Sequence, residues 1–149
     1  MEAIYKAAAV SIREATTSDI SEMHRVRASV RENTLPDYSV ITPEMIREHL
    51  ENLGRGWVYE HEGRIVGLAI VNLVDASIWA LFVEPQFEGR GIGRKLHDTM
   101  VAWIKSQGVR AVTLGTDPGT RAARFYEAAG WQFQELDADG EAVYKLTFA

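Results

Sequence analysis

Val83-Glu84-Pro85-Gln86-Phe87-Glu88-Gly89-Arg90-Gly91-Ile92-Gly93-Arg94-Lys95-Leu96 sets three glycines between an apolar run, 78–83, and a segment of helical periodicity. The run Ile78-Trp79-Ala80-Leu81-Phe82-Val83 reads as a strand buried on both faces. Leu96, Met100, Trp103 and Ile104 mark one side of a helix that stops at Gly108. Glycines at such a junction admit positive φ and let backbone N–H groups approach a ligand closely. Together with the free amides of the first helical turn they form an anion site, and a diphosphate fits it best. Arg90, Arg94 and Lys95 add positive charge. The spacing is neither that of a P-loop nor that of a dinucleotide fingerprint, since Arg94 stands where the third glycine would be.

Upstream, 10–15 alternates as a first strand with Ile12 facing inward. Thr16-x-x-Asp19 approximates a capping box before a helix carrying Ile20, Met23, Val26 and Val30 towards Asn33. Leu35-Pro36 breaks that helix, and Thr42-Pro43-Glu44 opens another that Gly54 and Gly56 end. Trp57-Val58-Tyr59-Glu60 and 65–71 form a hairpin across Glu62-Gly63. Downstream, 111–114 is a further buried strand, and Asp117-Pro118 starts a helix with Ala122, Phe125, Tyr126 and Ala129, closed by Gly130. The last hairpin, 131–136 with 142–148, turns at Asp139-Gly140, a type I′ signal. The order β-α-α-β-β-β-α-β-α-β-β predicts an α/β chain with a mixed, mostly antiparallel sheet covered by helices on both faces.

The 149 residues, 46% hydrophobic and 25% charged, suit one domain, 1–149, with a core that needs no disulfide or metal. No cysteine is present, which excludes thiolate metal sites and a cysteine nucleophile. A net charge of -5 argues against nucleic acid as a partner. Without a long apolar run or a leader-like start, the chain reads as a cytoplasmic protein with no membrane partner. The early cluster Arg13, Arg25, Arg27 and Arg31 reads as a solvated helix face. His24, His49, His61 and His97 lack metal-ligand spacing and read as surface or satisfied histidines, and the four tryptophans read as core.

The motif Glu88-Gly89-Arg90-Gly91-Ile92-Gly93 after Phe82-Val83-Glu84-Pro85 resembles the acetyl-CoA pyrophosphate motif of the GNAT superfamily of N-acetyltransferases. Ala122-Ala123-Arg124-Phe125-Tyr126-Glu127-Ala128-Ala129-Gly130-Trp131 is similar to a second motif of that superfamily. The resemblance spans essentially the whole chain. It implies a GNAT-like fold and an acetyl-CoA-dependent acetyltransferase that acts on a small-molecule primary amine by direct transfer. It also implies that the fourth and fifth strands, 78–83 and 111–116, splay to admit pantetheine. Leu81, Phe82 and Val83 would then meet the pantetheine, and Gly89, Arg90, Gly91, Ile92, Gly93, Arg94 and Lys95 the diphosphate. Two departures stand out: Glu88, where the family carries Arg or Gln, is expected to repel the diphosphate, and Gly119 replaces an Asn that holds the pantetheine arm.

By the same resemblance Tyr126 is the acid for the thiolate leaving group, with a core aromatic as its plain packing alternative. Glu84 and Asp117, at the ends of the two strands, are candidate bases, with a strand-end acid or a helix cap as the reading favoured for each. The region 20–53 would face the acceptor, with Glu32, Asp37 and Tyr38 suited to a cationic amine and Arg27 and Arg31 to a carboxylate. A homodimer stays open, as does a non-catalytic acyl-CoA-binding domain on the same fold.

Overall fold

A computed structural model describes residues 11–30 and 41–149. Seven strands form one sheet: β1 (Ile12–Glu14), β2 (Gly54–His61), β3 (Arg64–Asn72), β4 (Ser77–Val83), β5 (Ala111–Thr116), β6 (Gln132–Leu136) and β7 (Ala142–Thr147). Among the described residues four α-helices accompany them: α1 (Ile20–Ser29), α2 (Pro43–Glu48), α3 (Ile92–Ser106) and α4 (Arg121–Ala128). The spatial order is β1-β2-β3-β4-β5-β7-β6. Every pairing is antiparallel except β4 with β5, whose parallel register is confined to Ser77↔Thr113. Beyond that point the two strands diverge, which gives the sheet an internal opening. No helix among the described residues is long and apolar enough to cross a membrane.

The sheet separates two apolar cores. On one face α3 and α4 bring Leu96, Met100, Ile104, Ala123 and Tyr126 against Val66, Ala69, Val71, Val112 and Leu114. On the other, Ile20, Met23 and Val26 of α1 and Ile46 of α2 cover Val58, Leu68, Ile70 and Ala80. Full burial of one such side chain stabilises by about 1.5–3 kcal/mol. Gly67 lies on β3 under α3, where an added Cβ would stand 2.9 Å from Leu96 Cδ1. The absence of a side chain there sets how closely helix and sheet approach.

Several elements differ from their expected form. β4 is not buried on both faces throughout, for Leu81, Phe82 and Val83 are half-buried at the opening. Its register against β3 skips Trp79, with Ile70 opposite Ala80 and Val71 opposite Ile78. That β-bulge turns Trp79 and Ala80 to the same core and explains why the run lacks a two-residue alternation. α1 ends at Ser29 because Val30 is extended, with ψ 152°. Val10, Arg31, Glu32, Asn33, Leu35, Pro36, Asp37 and Tyr38 lie outside the described residues. Gly54 and Gly56 belong to β2 instead of closing α2, which continues through a π turn at His49–Leu53.

Asp117-Pro118 does not open α4. Thr120 does, with its Oγ1 accepting from Ala123 N–H at 3.2 Å. The β6–β7 hairpin is present, but Asp139 keeps negative φ and only Gly140 is left-handed, at 85°. Gly140 N–H donates to Asp137 O and Asp137 N–H to Glu141 O, so the turn is type I followed by a bulge at Gly140. Asp137 Oδ1 selects that form by accepting from the N–H groups of both Asp139 and Glu141 at 2.9 Å.

Among the described residues, the early arginines Arg13, Arg25 and Arg27 are not a solvated face. Arg13 holds Asp19 in a two-pronged pair at 2.8 and 2.9 Å. Asp19 also accepts from Thr16 N–H, as the capping-box spacing anticipates. Arg13 beside it, chiefly through these hydrogen bonds, holds the Asp19 carboxyl below the usual range. Arg27 lies over the Phe82 ring, 4.2 Å from its centroid.

Candidate active site

The end of β4 that diverges from β5 borders a cleft of about 550 Å³, large enough for an extended cofactor arm. Leu81, Phe82 and Val83 form one wall, and Ala122, Phe125 and Tyr126 of α4 form another. Glu88, Gly89, Gly91, Ile92, Gly93, Arg94 and Arg121 line its polar end. Gly91 caps α3 in the left-handed conformation, φ 82°, and an added Cβ would meet nothing within 4 Å. Backbone N–H groups at the start of α3 are thereby presented at a surface with room for a ligand. The residues fit a diphosphate.

The expected cationic cluster divides. Arg94 lines the cleft and its Nε donates to Asp98 Oδ1 at 3.0 Å. Arg90 lies over the Phe87 ring at 4.9 Å, and Lys95 is exposed one turn into α3; neither lines the cleft. In their place stands Arg121, at the first position of α4, paired with Glu88. Glu88 thus has a matched counter-charge, which removes the expected bare repulsion of an anionic ligand. Composition and local spacing do not reveal the pair, because 33 residues separate its members.

Tyr126 is 6% exposed and packs between Phe125 and Trp131, at ring distances of 5.3 and 5.5 Å. Burial pushes its phenol well above the usual tyrosine value, so it keeps its proton at neutral pH. The two candidate bases are elsewhere. Glu84 is buried, and its Oε1 accepts from Arg25 at 3.1 Å and Arg64 at 2.9 Å. Asp117 is exposed beyond β5. Neither carboxylate is among the residues that line the cleft. Removing either arginine would leave a poorly compensated buried charge.

Among the histidines, His24 meets Ile41 O at 2.9 Å, and His49 stacks on Trp79 at 3.8 Å. His97 is 3% exposed, and burial, the leading cause, holds its ring below the usual imidazole value. Asp98, Arg94, and the Phe125 and Tyr126 rings surround it. An unfolded chain therefore binds a proton at this residue that the folded one refuses. Its stabilising contribution is complete above about pH 6.5 and is lost as pH falls through the lower folded value. Melting curves at pH 7.5 and 5.5 should show a larger drop for the wild type than for His97→Gln, and equal drops would refute this. No group of three His, Cys, Asp or Glu among the described residues is placed to hold a metal.

The model of the acetyltransferase (GNAT) family matches residues 18–131, well over half of the chain. An uncharacterised ycf52-like N-acetyltransferase of Prochlorococcus marinus is 26% identical over 125 residues, spanning 79% of this chain and 65% of that protein. Serotonin N-acetyltransferase 2, chloroplastic, of Oryza sativa is 24% identical over 140 residues, 89% of this chain and 66% of that one. The chain thus spans just under two thirds of the length of each of these two relatives. The crystal structure of PaiA N-acetyltransferase from Thermoplasma acidophilum, in complex with coenzyme A, superposes with a TM-score of 0.76 at 13% identity. The superposition covers 92% of this chain and 98% of that one. It is a likeness of fold, and it covers nearly all the described elements. The chain belongs to the GNAT family of acetyltransferases.

Proposed function

We propose that the protein transfers the acetyl group of acetyl-CoA directly to a primary amine of a small molecule in the cytoplasm. One observation carries the reading: the end of β4 that diverges from β5 and the glycine loop at the start of α3 border one cleft, with Tyr126 on its wall. Backbone groups of Leu81, Phe82 and Val83 are suited to pair with the amides of pantetheine, as an added strand pairs with a sheet edge. Amides of 89–93, with Arg94 and Arg121, are suited to the diphosphate. The coenzyme A in the Thermoplasma acidophilum neighbour supports the same donor here. The name of the rice relative, a serotonin acetyltransferase, favours a small amine over a protein acceptor.

In the reaction the neutral amine attacks the thioester carbonyl, the C–N bond forms and the C–S bond breaks. Tyr126 gives its proton to the departing thiolate, the attacking nitrogen loses one to solvent, and solvent returns one to the phenolate. At pH 7 under ~0.1% of an alkyl amine is neutral, a deficit of about 5 kcal/mol. With Glu84 held by arginines and Asp117 outside the cleft, neither acid is placed to remove that proton directly. Deprotonation through water, before attack, is the route this geometry favours.

Coenzyme A should raise the melting temperature, and adenosine should do far less, because the loop amides read phosphate. Thiol release from acetyl-CoA across a panel of small amines then tests transfer. A thermal shift with no thiol release for any amine would favour an acyl-CoA-binding domain, and no shift at all would end the cofactor reading.

A further inference from the structure

Behind the glycine loop runs a chain of hydrogen bonds that begins in the core and ends at the cleft. Trp131, just past α4, donates its Nε1–H to His97 Nε2 at 2.9 Å. An accepting Nε2 is unprotonated, so the proton of the neutral ring sits on Nδ1. Nδ1–H donates to Asp98 Oδ1 at 2.9 Å, and the same oxygen accepts from Arg94 Nε. Arg94 is the last member, and its side chain lines the anion-binding end.

The ends of this chain differ in exposure. His97 is buried, whereas the side chains of Asp98 and Arg94 are 58% and 53% exposed. An exposed i,i+4 pair alone holds its geometry weakly, about 0.3–0.5 kcal/mol. A buried donor from the preceding residue fixes the carboxylate and, through it, the face of the guanidinium that carries Nε. The two terminal nitrogens of Arg94 are then left for the ligand.

We propose that His97 is a positioning residue for coenzyme A: its Nδ1–H, through Asp98, orients Arg94 towards the diphosphate. The inference rests on the reading of the cleft as a coenzyme A site. It gives a buried histidine, with no contact to the cleft of its own, a measurable effect on cofactor affinity.

Two substitutions separate this role from packing. His97→Asn keeps an N–H near the position of Nδ1 and gives up the acceptor for Trp131. His97→Gln keeps an acceptor near Nε2 and gives up the donor to Asp98. Coenzyme A affinity is measured by titration calorimetry at pH 7.5 without acceptor. His97→Gln should weaken binding about 3- to 10-fold, and His97→Asn should bind nearly as the wild type while melting lower. In an Arg94→Ala background His97→Gln should have no further effect, since positioning has nothing left to act on. Equal affinities for wild type and His97→Gln, or additive losses in the double variant, would overturn the proposal. A wild type that binds no coenzyme A would instead remove the cleft reading on which it rests.

Discussion

Gly91→Val is expected to abolish the stabilisation of this protein by coenzyme A. Gly91 has φ 82° as the residue that caps α3, and its missing Cβ faces open space at the end of the cleft. A valine there does two separate things. It imposes a left-handed strain of about 1–3 kcal/mol, and it puts two methyl groups where the diphosphate must approach the amides. Gly108 provides the control, because it has φ 83°, equally open surroundings, and a place at the far end of α3. Both variants should lose a similar amount of melting temperature without ligand. At coenzyme A a hundredfold over its dissociation constant, wild type and Gly108→Val should gain the equivalent of about 2.7 kcal/mol, and Gly91→Val close to nothing. A retained shift in Gly91→Val would show that the loop does not hold the diphosphate.

The same loop illustrates what a linear sequence discloses. Three closely spaced glycines after a run of six apolar residues report a strand, a tight junction and a helix, all set by neighbours along the chain. Buried alternation and helical spacing are local too, so the sheet and the two helical layers were legible, whereas the cleft walls came from the resemblance. The divergence of β4 and β5 was legible only through the resemblance. Partners across the fold were not. Glu84 reads as a strand-end acid whatever surrounds it, and only folding brings Arg25 and Arg64 to its Oε1 from 59 and 20 residues away. Glu88 looked unfavourable for an anion until Arg121 supplied the opposite charge. His97 looked like any satisfied histidine, and its link to Trp131 spans 34 residues.

Smaller departures share one cause: competing local groups settled what pattern left open. Asp139-Gly140 suits a type I′ turn, yet the Asp137 carboxylate captures two following N–H groups and stabilises the type I form. Pro118 favours a helix start, but the Thr120 hydroxyl is the group that reaches a free amide, so α4 begins three residues later. That shift places Arg121 in the first turn, beside Glu88 and at the mouth of the cleft. A helix read as starting at Asp117-Pro118 hides the residue that pairs with Glu88.

Tyr126→Phe tests the chemistry and should lower kcat by about 10²-fold while leaving coenzyme A affinity within a factor of two. The substitution removes one hydroxyl and preserves the ring contacts to Phe125 and Trp131. General acids contribute about 10²–10⁴-fold, and a thiolate of pKa about 8.5 leaves readily enough to put this case at the low end. Burial keeps the phenol protonated at neutral pH, so its proton is present where the thiolate forms, while the same burial makes it a weaker acid and holds the expected gain down. The same burial makes Tyr126 a poor base, so the expected loss is in the breakdown of the tetrahedral intermediate and not in amine deprotonation. A kcat profile rising with pH should therefore keep its shape in Tyr126→Phe, displaced downward, because deprotonation of the amine lies outside the step that Tyr126 assists. Thiol release at saturating acetyl-CoA between pH 6.5 and 9 measures both quantities. Full turnover in the variant would return Tyr126 to packing between its aromatic neighbours, and a changed profile would make it part of the proton path from the amine.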